Sequence, residues 1–152
     1  MTQTDVTARF GLPLLAVAQG QKEITHNEAL TLLDALVHAA VEGEALAAPP
    51  PAPANGTCWL VATGASGEWA GQNDMIAIRC EGGCRFAPPR AGMRIVRPSD
   101  GAWLRFDAAA RQWVVPGAIP IPQGGGVVDV EARSAIAALL PLLAAQGLLV
   151  WA

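Results

Sequence analysis

A run of prolines divides this chain into parts that fold under different constraints. Residues 47–53 read AAPPPAP, and proline fixes its own backbone angle and removes a hydrogen-bond donor. Such a run adopts an extended polyproline conformation, which excludes both a helix and a central strand. We therefore place boundaries around it and around the glycine-rich linker that begins at residue 117. The predicted parts are residues 1–46, 55–116 and 117–152.

The N-terminal part, residues 1–46, predicts an extended docking segment followed by a helix. Residues 11–15 are expected to be extended because the residue before Pro13 avoids helical angles. The string Thr25-His26-Asn27-Glu28 matches a capping box, so we expect the helix to begin at Thr25 and to stop at Gly43. Apolar residues recur between them at helical spacing: Ala29, Leu30, Leu33, Leu36, Val37, Ala40 and Val41, with Leu32 widening the stripe.

The middle part is typical of a small β module. Short apolar runs are separated by glycines and other turn residues, which predicts an antiparallel meander or a barrel-like module. The predicted strands are 58–63, 75–80, 84–87, 93–97, 102–106 and 112–115. In the third part Asp129 is expected to cap a second helix that Pro141 kinks or shortens and Gly147 ends. The sequence therefore predicts an α+β fold.

Composition excludes several classes of function. The chain has 152 residues, of which 52% are hydrophobic and 15% charged, and its net charge is −3. This balance gives no reason to expect nucleic acid as a partner. No cleavable leader and no apolar stretch of membrane-spanning length is visible, so we expect synthesis in the cytoplasm without membrane insertion. The apolar surplus indicates that a partner covers part of the surface.

A search for catalytic groups gives a negative result. The sequence contains no nucleophile elbow and no phosphate-binding loop, and His26 and His38 lie too far apart on one helix to share a metal. Cys58, Cys80 and Cys84 are best interpreted as free thiols, with a disulfide or a zinc site as the less favoured alternatives. We therefore predict that the protein is not an enzyme and uses neither a metal nor a cofactor.

Tryptophans in the middle part allow two interpretations. They supply a core to a thin sheet, or they form an exposed platform on which sugar rings stack. For the second interpretation the candidate glycan contacts are Trp69, Trp103, Arg105 and Trp113.

The N-terminal part contains two distinctive sequence strings. They are Gly11-Leu12-Pro13-Leu14-Leu15 and Q-x-Q-K-x-x-T-H-N-E-A-L, of which the second ends at Leu30. Together with the proline spacer and the Ala87-Pro88-Pro89-Arg90-Ala91-Gly92 run, they resemble a family of unknown function found in alphaproteobacterial prophages and gene transfer agents. The resemblance implies a structural protein of the head-spike or tail-fibre type, and it implies no catalytic residues.

The sequence therefore supports one leading hypothesis and one alternative. The first is a homo-oligomeric base or adaptor that joins capsid, tail, spike or fibre proteins in a virion-like particle. The alternative is a carbohydrate-binding module that recognises a host surface polysaccharide. We expect the N-terminal part to dock the partner rather than to pack back on the chain. Its candidate interface residues are Leu12, Leu14, Leu15, Gln19, Gln21, Thr25, His26, Asn27, Leu32 and Leu33.

Overall fold

The computed structural model describes residues 5–16, 22–121, 123–124, 126 and 129–149. Two helices flank two small sheets, which confirms the predicted α+β class. The elements are α1 (Lys22–Leu36), β1 (Cys58–Leu60), β2 (Ile76–Cys80), β3 (Gly83–Ala87), β4 (Arg94–Arg97), β5 (Ala102–Asp107), β6 (Gln112–Val114) and α2 (Val130–Ala145). None of the helices in the described ranges is long and apolar enough to cross a bilayer.

Each sheet is an antiparallel meander of three strands. The first has the order β1-β2-β3 and the second β4-β5-β6. Opposite Cα partners include Trp59 with Ala77 in the first sheet and Phe106 with Trp113 in the second. All six strands fall where the glycine-separated apolar runs predict them, with ends that differ by one to three residues. Local turn chemistry is therefore sufficient to place the strands.

The main hydrophobic core lies between the two sheets and α1. It combines side chains from both sheets with Ala35 of α1 and Val41 just after it, so the helix and the strands share one core. A second cluster on the other face of the first sheet surrounds Trp69, which has no exposed surface. Burying both faces explains why all three residues of β1 are buried instead of alternating.

The crossing segment (residues 39–46) closes one edge of each sheet. Val41 N donates to Val96 O and Val96 N donates to Ala39 O, both at 2.9 Å, along β4. Further along the segment, Leu46 N donates to Leu60 O at 2.9 Å beside β1. Open strand edges are prone to unwanted pairing, so this segment protects both sheets. It also carries Glu44, which forms an ion pair with the buried Arg97.

The bounds of α1 differ from those predicted. The helix begins at Lys22, so Thr25 lies inside it and does not cap it. It ends at Leu36 rather than at Gly43, because the backbone that follows pairs with the sheets. The Arg9 guanidinium also donates to Ala35 O at 2.8 Å and His38 O at 2.9 Å, which satisfies carbonyls at the helix C-terminus.

The N-terminal hairpin (residues 5–15) packs against α1. Its two arms are joined where Leu14 N donates to Asp5 O at 2.8 Å. The Asp34 side chain, in a residue only 3% exposed, accepts from Thr7 Oγ1 at 2.7 Å and from the backbone N–H groups of Arg9 and Phe10 at 2.8 Å. The hairpin therefore packs back on the helix through these polar contacts, whereas Val6 and Phe10 remain about half exposed, and the docking of this segment to a partner stays a prediction.

A glycine is required where the hairpin meets the sheets. Gly56 has a φ of +83°, and a Cβ added to it would lie 2.7 Å from the Cβ of Ala8. The loop before β1 therefore approaches the hairpin more closely than any other residue allows.

Helix α2 begins as predicted, with the Asp129 carboxylate accepting from Ala132 N at 2.8 Å. Pro141 does not shorten it, since the helix runs on to Ala145. After it, Gly147 N donates to Ala144 O and Leu148 N to Leu143 O, and the positive φ of Gly147 permits this ending. Beyond this ending, Leu148 is exposed and Leu149 is buried.

The three cysteines are free thiols, and Cys58 and Cys84 are buried. Burial raises the pKa of the Cys58 thiol to about 11. The folded state therefore holds its proton at a pH where the unfolded chain has released it.

We predict that replacing Asp34 by Ala lowers the free energy of unfolding by about 2–4 kcal/mol, because the hairpin loses the acceptor for three donors. Urea denaturation followed by tryptophan fluorescence measures this loss. Asp5→Ala is the matched control, since that carboxylate lies in the same hairpin but belongs to an exposed residue. Equal midpoints for Asp34→Ala and the wild type would contradict the role assigned to Asp34.

We also predict that stability falls as pH rises from 9 to 11, the interval over which the unfolded but not the folded Cys58 thiol ionises. The loss from this group is about 1.4 kcal/mol per pH unit within that interval. The chain has no tyrosine and a single lysine, but burial also raises the pKa of the Cys80 thiol, which adds a loss of the same sign. The fall in the urea midpoint across the interval should therefore be smaller in Cys58→Ala than in the wild type; an unchanged slope in that variant would refute the assignment.

Candidate functional site

A cleft of about 730 Å³ lies between three parts of the described structure. Three walls form it: the N-terminal hairpin, one face of α1, and the β2–β3 hairpin together with the loop at Asn55 and Gly56. Its volume lies in the range that small-molecule and short-peptide sites occupy. We refer to it as the hairpin cleft.

The wall from α1 follows directly from helical periodicity. Ile24, Asn27, Thr31 and Asp34 recur every three or four residues and therefore lie on one face. Asp34 holds the adjacent hairpin in place, and Asn27 accepts from Leu15 N at 2.9 Å and donates to Leu15 O at 3.0 Å. Two side chains of one helix face thus fix the hairpin wall along its length.

The opposite wall carries positive charge. Arg79 is at the end of β2 and Arg85 is on β3. At the mouth, Arg85 forms an ion pair with Glu28 at 2.7 Å, and each side chain is about half exposed. A pair this exposed adds little stability, so its main effect is to join α1 to the β2–β3 hairpin across the cleft.

Two buried polar atoms of residues that line the cleft have no hydrogen-bond partner within the described part of the chain. They are Oε2 of Glu23, in the first turn of α1, and Nε of Arg79. Folded proteins pair nearly all buried polar atoms. Both atoms have almost no accessible surface, so they do not face the open volume of the cleft.

Of the predicted interface residues, the structure brings Leu14, Leu15 and Asn27 together in the cleft. Leu12 is half-buried inside the hairpin, where its N–H donates to Thr7 Oγ1 at 2.9 Å. The remaining candidates do not join them. Leu32 packs against the main core, Thr25, His26 and Leu33 are exposed elsewhere on α1, and Gln19 and Gln21 lie outside the described residues.

The candidate glycan contacts are separated. Trp69 is completely buried and its Nε1 donates to Cys84 Sγ at 3.5 Å, so its ring is not available to a sugar. Trp113 is opposite Phe106 on the inner side of the second sheet, and its Nε1 donates to Asp74 O at 2.9 Å. Only Trp103 and Arg105 share an outer face of β5. The four residues therefore do not form one platform.

Sequence reasoning missed Glu23, Arg79 and Arg85 as site residues. Glu23 resembles an ordinary acidic residue of a first helical turn, where it complements the helix dipole. The one available signal was the placement of arginines next to fully buried strand residues in IAIRC and GCRFA. No group of three or more His, Cys, Asp or Glu side chains in the described ranges is arranged to hold a metal ion.

Comparison with known families gives a match over residues 26–114 to a family described as a protein of unknown function, DUF2793. The matched region contains α1 from His26 onward and both sheets, while the N-terminal hairpin and α2 lie outside it. No curated protein matches the chain. Because the match covers more than half of the 152 residues, the chain belongs to the DUF2793 family of proteins of unknown function.

Proposed function

We propose that this protein is a homo-oligomeric structural subunit of a phage-like particle or gene transfer agent, with the role of a head-spike or tail-fibre base or adaptor. The observation that carries the proposal is the surface of α2. From Ala135 to Ala145 this helix has no polar side chain, yet Leu140 is its only buried residue. The proposed particle rests on the sequence resemblance, and the proposed assembly rests on this helix.

The apolar surface extends around most of the helix. Val130, Leu139 and Leu142 are 62%, 52% and 65% exposed, and Ile136 is 39% exposed. A helix that is apolar all round is stable in water only when other protein or lipid surrounds it. In a solitary subunit this surface would be a strong aggregation liability.

Copies of the same chain are the partners that fit this surface best. The uncharged stretch of α2 from Ala135 to Ala145 needs an uncharged partner, and the same stretch of a second copy supplies one with the same length and side chains. Its alanines permit close approach of helices, while its leucines and isoleucine fill the spaces between them. Repeating one helix around a symmetry axis buries the sides that face the axis and the neighbouring copies. The family assignment and the absence of a recognisable catalytic motif are both compatible with a structural role.

This proposal moves the oligomer contact from α1 to α2. The sequence analysis placed Leu32 and Leu33 of α1 among the candidate interface residues. Leu32 packs against the core, while Leu33 and Val37 remain exposed at 52% and 73%. A patch of two exposed apolar residues is normal on a monomer, whereas a helix with nearly every apolar residue exposed is not.

The alternative, recognition of a host glycan, keeps only part of its predicted site. Trp103 and Arg105 share an outer face, but Trp103 is 37% exposed and packs against the end of α2 at Gly147. Arg105 lies 3.6 Å from Asp107, so its charge is partly neutralised. We therefore place the structural role first.

We predict that the wild-type protein is an oligomer at micromolar concentration and that Ile136→Gln with Leu142→Gln converts it to a monomer of 15.7 kDa. Each substitution makes an exposed apolar position polar, so folding of the subunit should be unaffected. Multi-angle light scattering measures the mass. In particles purified from the producing bacterium, the wild-type protein should be present at a fixed copy number and the double variant should be missing.

The matched control is Leu33→Gln with Val37→Gln, which changes two exposed apolar residues outside α2 and should leave the mass unchanged. A monomeric wild type would contradict the assembly. Dissociation by the control pair alone would return the contact to α1. Absence of the wild-type protein from purified particles would contradict the particle assignment and leave the oligomer result standing.

A further inference from the structure

Helix α2 is buried at its C-terminal end and exposed over the rest of its length. Within the helix, every residue before Leu140 is exposed except Arg133, which is half-buried. Leu140 itself is 4% exposed, and Gly147 and Leu149, which follow the helix, are buried. The packing of α2 against its own chain is therefore concentrated at residues 140–149.

Gly147 fixes this end of the helix against β5. Its carbonyl oxygen accepts a hydrogen bond from Trp103 N at 3.1 Å. A Cβ added to Gly147 would overlap Gly101 O and would lie 2.5 Å from Cδ1 of the Trp103 ring. The space beside Gly147 is thus filled by β5 of the same chain and cannot accept a second helix.

The side of α2 that points away from Leu140 is open along the helix. At about 100° per residue, this side carries the residues that lie roughly 140–160° around the helix from Leu140. They are Ala135, Ala138, Leu142 and Ala145, all of them exposed, with Leu142 at 65%. Intervals of three and four residues are those of a coiled-coil seam. This face can approach an axis while Leu140 stays buried in its own chain.

The charged side chains of α2 lie at the opposite end from Gly147. They are Glu131 and Arg133, and no charged residue follows them in the helix. An antiparallel pair that matched the two uncharged stretches would place these charges beside Gly147 and Leu149 of the second copy. Both of those residues are already surrounded by their own chain, and taking a charge out of water without a partner is costly. Space and charge therefore both oppose antiparallel packing.

Parallel packing avoids both problems. It keeps Glu131 and Arg133 of every copy together at the exposed end of the helix, and it leaves residues 140–149 of each copy in place. Parallel helix dipoles repel one another, but this effect is small where the helix ends are exposed to water and salt. Leu142 of each copy then meets Leu142 of its neighbours.

We propose that α2 packs in parallel with α2 of other copies around a cyclic axis, with Ala135, Ala138 and Leu142 facing that axis. The inference rests on the proposed assembly through α2, and it adds the direction of the helices and the face that they use. A cyclic assembly has two different ends. One carries the N-termini of α2 and the other carries the residues that join α2 to β5, which suits an adaptor between two unlike partners.

Single cysteines test the direction of the helices. Each variant also carries Cys80→Ser, which removes the one natural thiol that is not buried. A disulfide requires Cα atoms within about 7 Å, whereas the matched antiparallel pair holds its two residues 135 about 15 Å apart along the axis. In the parallel assembly Ala135→Cys and Ala145→Cys should therefore each form a linked dimer on oxidation with copper phenanthroline.

Non-reducing gel electrophoresis measures the linked fraction, and most of each of these two variants should be linked. The matched control is Ala137→Cys, which is also exposed but lies only about 60° from Leu140 and so faces away from the axis. It should stay unlinked under the same conditions.

Light scattering of the reduced variants separates the failure of this inference from the failure of the proposed assembly. An oligomer that is linked only in the double variant Ala135→Cys with Ala145→Cys would have antiparallel helices, which overturns the inference and leaves assembly through α2 standing. An oligomer with no linked single variant, or with the Ala137→Cys control linked as strongly, would show that another face meets the axis. A monomeric mass would contradict the assembly itself and the direction with it.

Discussion

One buried carboxylate determines how the first third of this chain is organised. Asp34, near the C-terminal end of α1, accepts hydrogen bonds from the Thr7 hydroxyl and from two backbone N–H groups of the N-terminal hairpin. Charge-assisted hydrogen bonds of this kind are stronger than neutral ones. With the hairpin held there, Arg9 reaches the carbonyls at the end of the helix. The helix end and the hairpin wall of the cleft both depend on this contact.

The end of α1 in turn determines how the sheets are closed. Because the helix stops at Leu36, the residues that follow are free to pair with strand edges. The crossing segment uses them along β4 and β1, and Val41 enters the main core. If the helix continued to Gly43, these backbone groups would form helical hydrogen bonds instead, and both strand edges would be exposed.

Sequence reasoning succeeded where the determining interactions are local. The six strands, the Asp129 cap and the ending at Gly147 follow from residues next to each other in the chain. It failed for α1, where Thr25-His26-Asn27-Glu28 matches a capping box but Lys22 already begins the helix. The contacts that set its far end join residues about 25 positions apart, such as Arg9 and Ala35. No local pattern reports such a contact.

The candidate site shows the same division. Leu14, Leu15 and Asn27 were expected at an interface and do line the cleft. Glu23 and Arg79 each have one buried side-chain atom without a hydrogen-bond partner among the described residues, and burial of a single atom is a property of the packed structure. The surface of α2 was predictable in part. Its apolar composition is visible in the sequence, but its exposure is known only from the structure, in which the sheets leave it uncovered.

The central claim is that the N-terminal hairpin is an integral part of the folded unit, held by Asp34. Native-state hydrogen exchange of the backbone amides of Arg9 and Phe10 tests it most directly, because both donate to that carboxylate. The account predicts that they exchange slowly, at rates close to those of core amides such as Val96, which opens only with the whole domain. Exchange of these two amides at the rate of an unstructured peptide, while the core stays protected, would contradict it.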